Sequence, residues 1–159
     1  MEKEGQKIMV AVDESQESMY ALSWCLSNLI SDTSNNILVL LYVKPSPSVY
    51  SSFDIPGNIF SSDAVGAMEK FGRDLAASVM ERAEAICSNS NASNNMKMQR
   101  VIGSGDAKNV ICSAVQKLEA DTLVMGSHGY GFLKRALLGS VSAYCSKHAK
   151  CPVIIVRHP

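Results

Sequence analysis

The sequence predicts a single α/β domain, a five-stranded parallel sheet in the order 3-2-1-4-5 with helices on both faces. Three observations carry that expectation. Apolar runs of strand length alternate with segments whose apolar residues recur at helical spacing. The run Ile37–Val43 is apolar throughout, as a central strand covered on both faces is. A glycine-rich stretch follows another run, Leu123–Met125, at the point where doubly wound sheets hold their ligands.

Taken in order, Ile8–Val12 reads as the first strand, bounded by Asp13-Glu14-Ser15, and Met19, Leu22, Leu26, Leu29 and Ile30 mark the first helix. The turn cluster Ser31–Asn36 precedes the second strand, Ile37–Val43. Lys44–Ser62 mixes three prolines with serines and scattered aromatics, and is expected to be a long mobile loop. Val65, Met68, Leu75, Val79 and Ile86 predict a long amphipathic helix from Asp63 to Ser88, closed by the polar run Asn89–Asn95. Met96–Ile102 alternates apolar and polar, the pattern of a half-exposed edge strand. After Gly103–Asp106 turns the chain, Ala107, Val110, Ile111, Ala114, Val115 and Leu118 form a clean helical stripe. Leu123–Met125 is the fourth strand, a last helix runs from about Ser140 to Ala149, and Val153–Val156 is the fifth strand.

Composition narrows the function classes. The 159 residues fit one domain with a substantial core, residues 1–159. No apolar run approaches the ~20 residues of a membrane span, and the N-terminus lacks a signal-peptide core, so a cytoplasmic location is expected, with nucleus or membrane periphery left open. Fifteen basic and fifteen acidic residues argue against a general nucleic-acid binder. That balance hides a strong polarity. From Gly126 onward there are five basic residues, Lys134, Arg135, Lys147, Lys150 and Arg157, and no acidic one.

The glycine-rich stretch Gly126–Ser142 leaves a strand and enters a helix with hydroxyls in its first turn. Glycines let a backbone approach a ligand closely, and a helix N-terminus offers free N–H groups to an anion. Ser140 and Ser142 add hydroxyls, so a phosphate is expected here; the plainer reading is turn geometry with Ser140 as an N-cap.

Five cysteines without a secretion signal read as thiols, with Cys25, Cys87 and Cys112 as small residues on apolar helix faces. Cys145-x-x-His148-x-x-Cys151 has the look of a metal clip, but it supplies three ligands with no fourth nearby. A redox role for Cys145 or Cys151 stays open. In the order 3-2-1-4-5 the last strand is an edge without a protecting charge, which predicts a homodimer paired through Val153–Val156; the alternative is that Arg157-His-Pro159 and local helices shield it.

These residues together resemble the universal stress protein family, in its nucleotide-binding branch and small plant-type form. The resemblance rests on Val-Ala-Val-Asp13-x-Ser15, the Leu22-x-Trp24 region, Gly105-Asp-Ala and, above all, Gly126-x2-Gly129-x9-Gly139-Ser140. It implies a Rossmann-like, adenine nucleotide α-hydrolase-like sheet that binds ATP or AMP, as a dimer through the last strand. Carried over by position, it implies that Ala11, Val12, Asp13 and Val43 line the adenosine pocket. Asp13 would bond a ribose hydroxyl or hold magnesium through the phosphates, with an N-cap as its plainer role. Met125 and Gly126 would lie beside the ribose and first phosphate, Ser127 and His128 would belong to the same nucleotide-binding stretch, with His128 more plainly a solvated loop residue, Gly129 would let the loop pass close, and Gly139, Ser140, Val141 and Ser142 would hold the phosphates. Ala11 stands where many relatives carry proline. Lys134 and Arg135 could reach a triphosphate or simply be solvated.

No P-loop is present, no base for hydrolysis is evident, and no carboxylate or nucleophile is placed to partner His128, so no catalytic residue is assigned and ATP hydrolysis is expected to be slow at most. The leading expectation is a stress-response regulatory protein switched by ATP or AMP. Two others stand beside it: an adenylyl- or phosphoryl-transfer enzyme using the same pocket, and a chaperone-like interaction protein.

Overall fold

A computed structural model describes residues 5–30, 35–45, 62–92, 96–127 and 139–159. The elements run β1 (Lys7–Ala11), α1 (Gln16–Asn28), β2 (Asn36–Lys44), α2 (Ser62–Ser88), β3 (Met96–Ser104), α3 (Ala107–Lys117), β4 (Thr122–Gly126), α4 (Ser140–His148) and β5 (Val153–Val156). The five strands form one sheet in the order β3-β2-β1-β4-β5, every pair parallel, as the sequence predicts. Nearly all of the long loop expected between β2 and α2 lies outside the described residues.

Side-chain alternation along the strands divides the core in two. Ile8, Val10, Val12, Leu38, Leu40 and Tyr42 face α1 and α2, where they meet Met19, Leu22, Cys25, Val79 and Met80. Met9, Val39, Leu41, Leu123 and Met125 face α3 and α4, against Ile111, Val115 and Cys145. This is the three-layer arrangement that parallel strands with helical crossovers require. β3 is an exposed edge, with Lys97, Met98, Gln99 and Arg100 all open to solvent. At the opposite edge, Ile155 of β5 is 39% exposed. Among the described residues no helix is long and apolar enough to cross a membrane.

From β1 the chain winds outward through β2 to β3, and then crosses back to place β4 on the other side of β1. The carboxyl ends of β1 and β4 are therefore the switch point, where loops on the two sides diverge and leave a crevice.

Candidate site at the switch point

β1 ends at the switch point in Ala11, Val12 and Asp13. Val12 is buried, its side chain belongs to the α1/α2 core, and its N–H donates to the Leu41 carbonyl at 2.9 Å. Ala11, Val43 and Met125 instead share the sheet face covered by α3 and α4. Of the apolar residues expected around an adenosine, three are thus brought to one face and Val12 to the other.

The Asp13 carboxylate is built into the start of α1. Its Oδ1 accepts from the Ser15 N–H at 2.8 Å and from the Ser15 hydroxyl. Ser15 is the N-cap: its Oγ accepts from the Ser18 N–H at 3.1 Å, satisfying a helix-terminal donor. The Asp13 N–H donates to Ser18 Oγ at 3.0 Å. Asp13 therefore braces the cap without being the cap, and its half-buried side chain keeps a second oxygen, Oδ2, that makes no hydrogen bond among the described residues.

Two partners that sequence reasoning missed hold this loop from outside. The Tyr42 hydroxyl donates to Glu14 Oε1 at 3.0 Å, and Arg82 Nη1 donates to the Glu14 carbonyl at 3.2 Å. Tyr42 belongs to β2 and Arg82 to α2. One signal was available: Tyr42 is the only residue in the run Ile37–Val43 with a polar tip, and such tips seek partners when buried.

On the β4 side, Gly126 is a glycine for packing. A Cβ there would stand 2.9 Å from the Glu17 carbonyl carbon and 3.1 Å from the Ser18 nitrogen, so α1 lies directly on the strand end. Ser127 is buried and its N–H donates to the Val156 carbonyl at 3.1 Å. Gly139 has φ +68°, and a Cβ on it would meet Ser142 Oγ at 2.0 Å and the Ser127 carbonyl oxygen at 2.3 Å. Only glycine fits that left-handed, closely approached position.

Ser142, expected beside the phosphates, stands in the first turn of α4. Its buried hydroxyl is directed at the carbonyls of Gly139, 2.9 Å away, and Ser127, 3.3 Å away. Having one proton, it serves as a clamp between α4 and β4. Ser140 is exposed and Val141 half-buried at the start of α4. His128, Gly129, Lys134 and Arg135 lie outside the described residues.

Two grooves accompany these elements. One of about 680 Å³, lined in part by Leu26, Ile30, Ile86 and Asn89, lies at the far ends of α1 and α2, away from the switch point. The other, about 280 Å³, is lined by Lys44, Pro45, Met68, Glu69, Gly72, Arg73 and Ser104, beside Val43 at the end of β2. The cysteine-histidine spacing makes no common cluster with the imidazole, since His148 is exposed and its ring lies 4.2 Å from that of Tyr144.

The sequence model described as "Universal stress protein family" matches residues 5–157. The chain belongs to the universal stress protein family. It is 32% identical over 172 residues to the universal stress protein A-like protein of Arabidopsis thaliana, covering 99% of this chain and 93% of that one. It is 28% identical over 163 residues to universal stress protein PHOS34 of the same plant, there spanning 96% of this chain and 62% of the relative. Its fold matches the crystal structure of a universal stress protein family protein from Arabidopsis thaliana with AMP bound. The TM-score is 0.69 and the identity 29%, over 97% of this chain and 92% of the other. Both the family resemblance and the Rossmann-like architecture expected from the sequence thus hold.

Proposed function

We propose that this universal stress protein binds an adenine nucleotide, ATP or AMP, at the carboxyl ends of β1, β2 and β4, and acts in stress responses as a regulatory protein. The observation that carries the reading is the grouping of Ala11, Val43 and Met125 on one sheet face beside the Asp13 carboxylate, in a chain 29% identical to a relative whose structure holds AMP. In this reading the three apolar residues receive the adenosine, Asp13 accepts from a ribose hydroxyl, and the first N–H groups of α4 meet the phosphates. Gly139, Ser142 and the Ser127 carbonyl fix the angle at which α4 presents them.

Magnesium is a hard cation that takes oxygen ligands. Asp13 is the one carboxylate among the proposed site residues, so phosphates and water would supply the remaining oxygens around an ATP-bound ion. The regulatory reading stands on the lack of a P-loop and of an evident base in the sequence, which leaves binding as the chemistry the site offers. The apolar β5 edge, with Ile155 39% exposed, supports pairing of two subunits through Val153–Val156.

Native mass spectrometry of the purified protein, with and without added AMP or ATP-magnesium, tests this directly. Two subunits carrying one adenine nucleotide each is the expected species. A protein that is nucleotide-free as isolated and ignores both additions overturns the reading.

A further inference from the structure

Cys112 on α3 and Cys145 on α4 are 33 residues apart in the chain, yet their sulfur atoms stand 3.8 Å apart. All five cysteines are free thiols. Cys25 and Cys87 are both buried in the α1/α2 core, so neither offers a sulfur that an oxidant in solution meets first, and burial pushes their thiols up to about 12 and about 11. The Cys112/Cys145 pair differs in geometry and in access. A disulfide places its sulfurs about 2.05 Å apart, so closure from 3.8 Å asks for roughly 1.8 Å of sulfur movement. Cys145 is fully buried, and burial raises its thiol to about 12, with Cys112 adding to the effect. Cys112 is half-buried, so it is the sulfur of the two that a small oxidant in solution reaches first.

We propose that Cys112 and Cys145 are a dithiol that hydrogen peroxide closes to a disulfide, tying α3 to the helix that starts at Gly139. In the first step the Cys112 thiolate attacks one peroxide oxygen. The O–O bond breaks, hydroxide leaves and takes up a proton, and the sulfur becomes a sulfenic acid. In the second step the Cys145 sulfur attacks the Cys112 sulfur, the S–O bond breaks, and the departing hydroxide takes the Cys145 proton as water. Two thiols and one peroxide become one disulfide and two waters.

The mechanical consequence follows from helix spacing. Cys145 lies three residues after Ser142 and so shares its helix face. Ser142 is the side chain that clamps α4 to β4. Drawing Cys145 toward α3 therefore acts on the turn that sets the Gly139 clamp. The effect on ligand rests on the adenine-nucleotide reading above: oxidation is expected to weaken AMP binding about tenfold, a typical coupling between two sites.

The test uses the full chain, treated with hydrogen peroxide, alkylated and mapped by mass spectrometry without reduction, with AMP titrated before oxidation, after it and after dithiothreitol. A cross-linked peptide pair containing Cys112 and Cys145, absent from C112S and from C145A, together with a reversible loss of AMP affinity, is the expected result. Either variant alone reports the link, so misfolding of one does not remove the test. Cys112 accumulating as sulfinic acid, or linked to Cys151 instead, overturns the dithiol. A Cys112–Cys145 link with unchanged AMP affinity overturns its control of the site. Reduced protein that binds no nucleotide overturns the nucleotide reading instead, and the cross-link map then judges the dithiol alone.

Discussion

Ser142 Oγ lies 3.3 Å from the Ser127 carbonyl oxygen and 2.9 Å from that of Gly139, so one buried hydroxyl joins the first turn of α4 to the end of β4. A side chain on Gly139 cannot coexist with it. Gly139→Ala is expected to cost about 2 to 4 kcal/mol, from left-handed backbone strain plus the clash with Ser142 and Ser127. Urea denaturation monitored by circular dichroism measures it. A loss within about 0.5 kcal/mol, the scale of an ordinary surface change, would mean the clamp relaxes freely.

Asp13 can be neutralised while its brace on α1 is kept, because asparagine retains an oxygen to accept from the Ser15 N–H. Asp13→Asn is expected to raise the AMP dissociation constant about tenfold, at the low end of what hydrogen bonds to charged groups contribute. The melting midpoint should change little, since Ser15 still caps the helix. Calorimetric titration beside a thermal melt separates the two effects, and unchanged affinity would remove Asp13 from the site.

The Arg100 guanidinium reaches both carboxylate oxygens of Glu84, with Nη2 to Oε2 at 2.6 Å, linking β3 to α2. This hydrogen bonding holds the Glu84 carboxyl below its ordinary 4.5. A carboxyl that ionises more readily when folded adds stability above its unfolded value, and that stability is lost as pH falls through the lowered folded value. Glu84→Gln should therefore lower the melting midpoint slightly at neutral pH, with the difference closing below pH 4.5 and in high salt. A deficit of constant size across that range would point to lost packing.

Ile155 is 39% exposed on an edge strand, which single apolar residues tolerate but paired edges use. Ile155→Lys is expected to turn a dimer into a monomer with its fold intact, as read by light scattering after size exclusion. A wild-type protein already monomeric at high concentration would remove the β5 interface.

Much of the fold was legible because parallel strands buried on both faces have to be apolar throughout, and helices on a sheet have to carry a stripe. Ile37–Val43 and the Ala107–Leu118 stripe show this most plainly. The edge position of β3 was legible too, from the alternation in Met96–Ile102. The details that set the site were not, because they depend on pairs far apart in sequence. Nothing local announces that Tyr42 and Arg82 converge on Glu14, or that Cys112 meets Cys145. The glycines were legible as glycines, but the contacts each one permits were not. Gly126 makes room for the backbone at Glu17, and Gly139 for the Ser142 hydroxyl. Periodicity reports which face a residue takes, not where a hydroxyl points.

The hold on Glu14 bears on the thermodynamics of any ligand that uses Asp13. With its neighbour tied to β2 through Tyr42 and to α2 through Arg82, and with Ser15 and Ser18 gripping it from α1, the loop already occupies one conformation before a ligand arrives. The entropy of ordering it, about 1 to 2 kcal/mol for each backbone residue, is lost when the chain folds. For this loop no further ordering cost falls on binding, so Asp13 is preorganised.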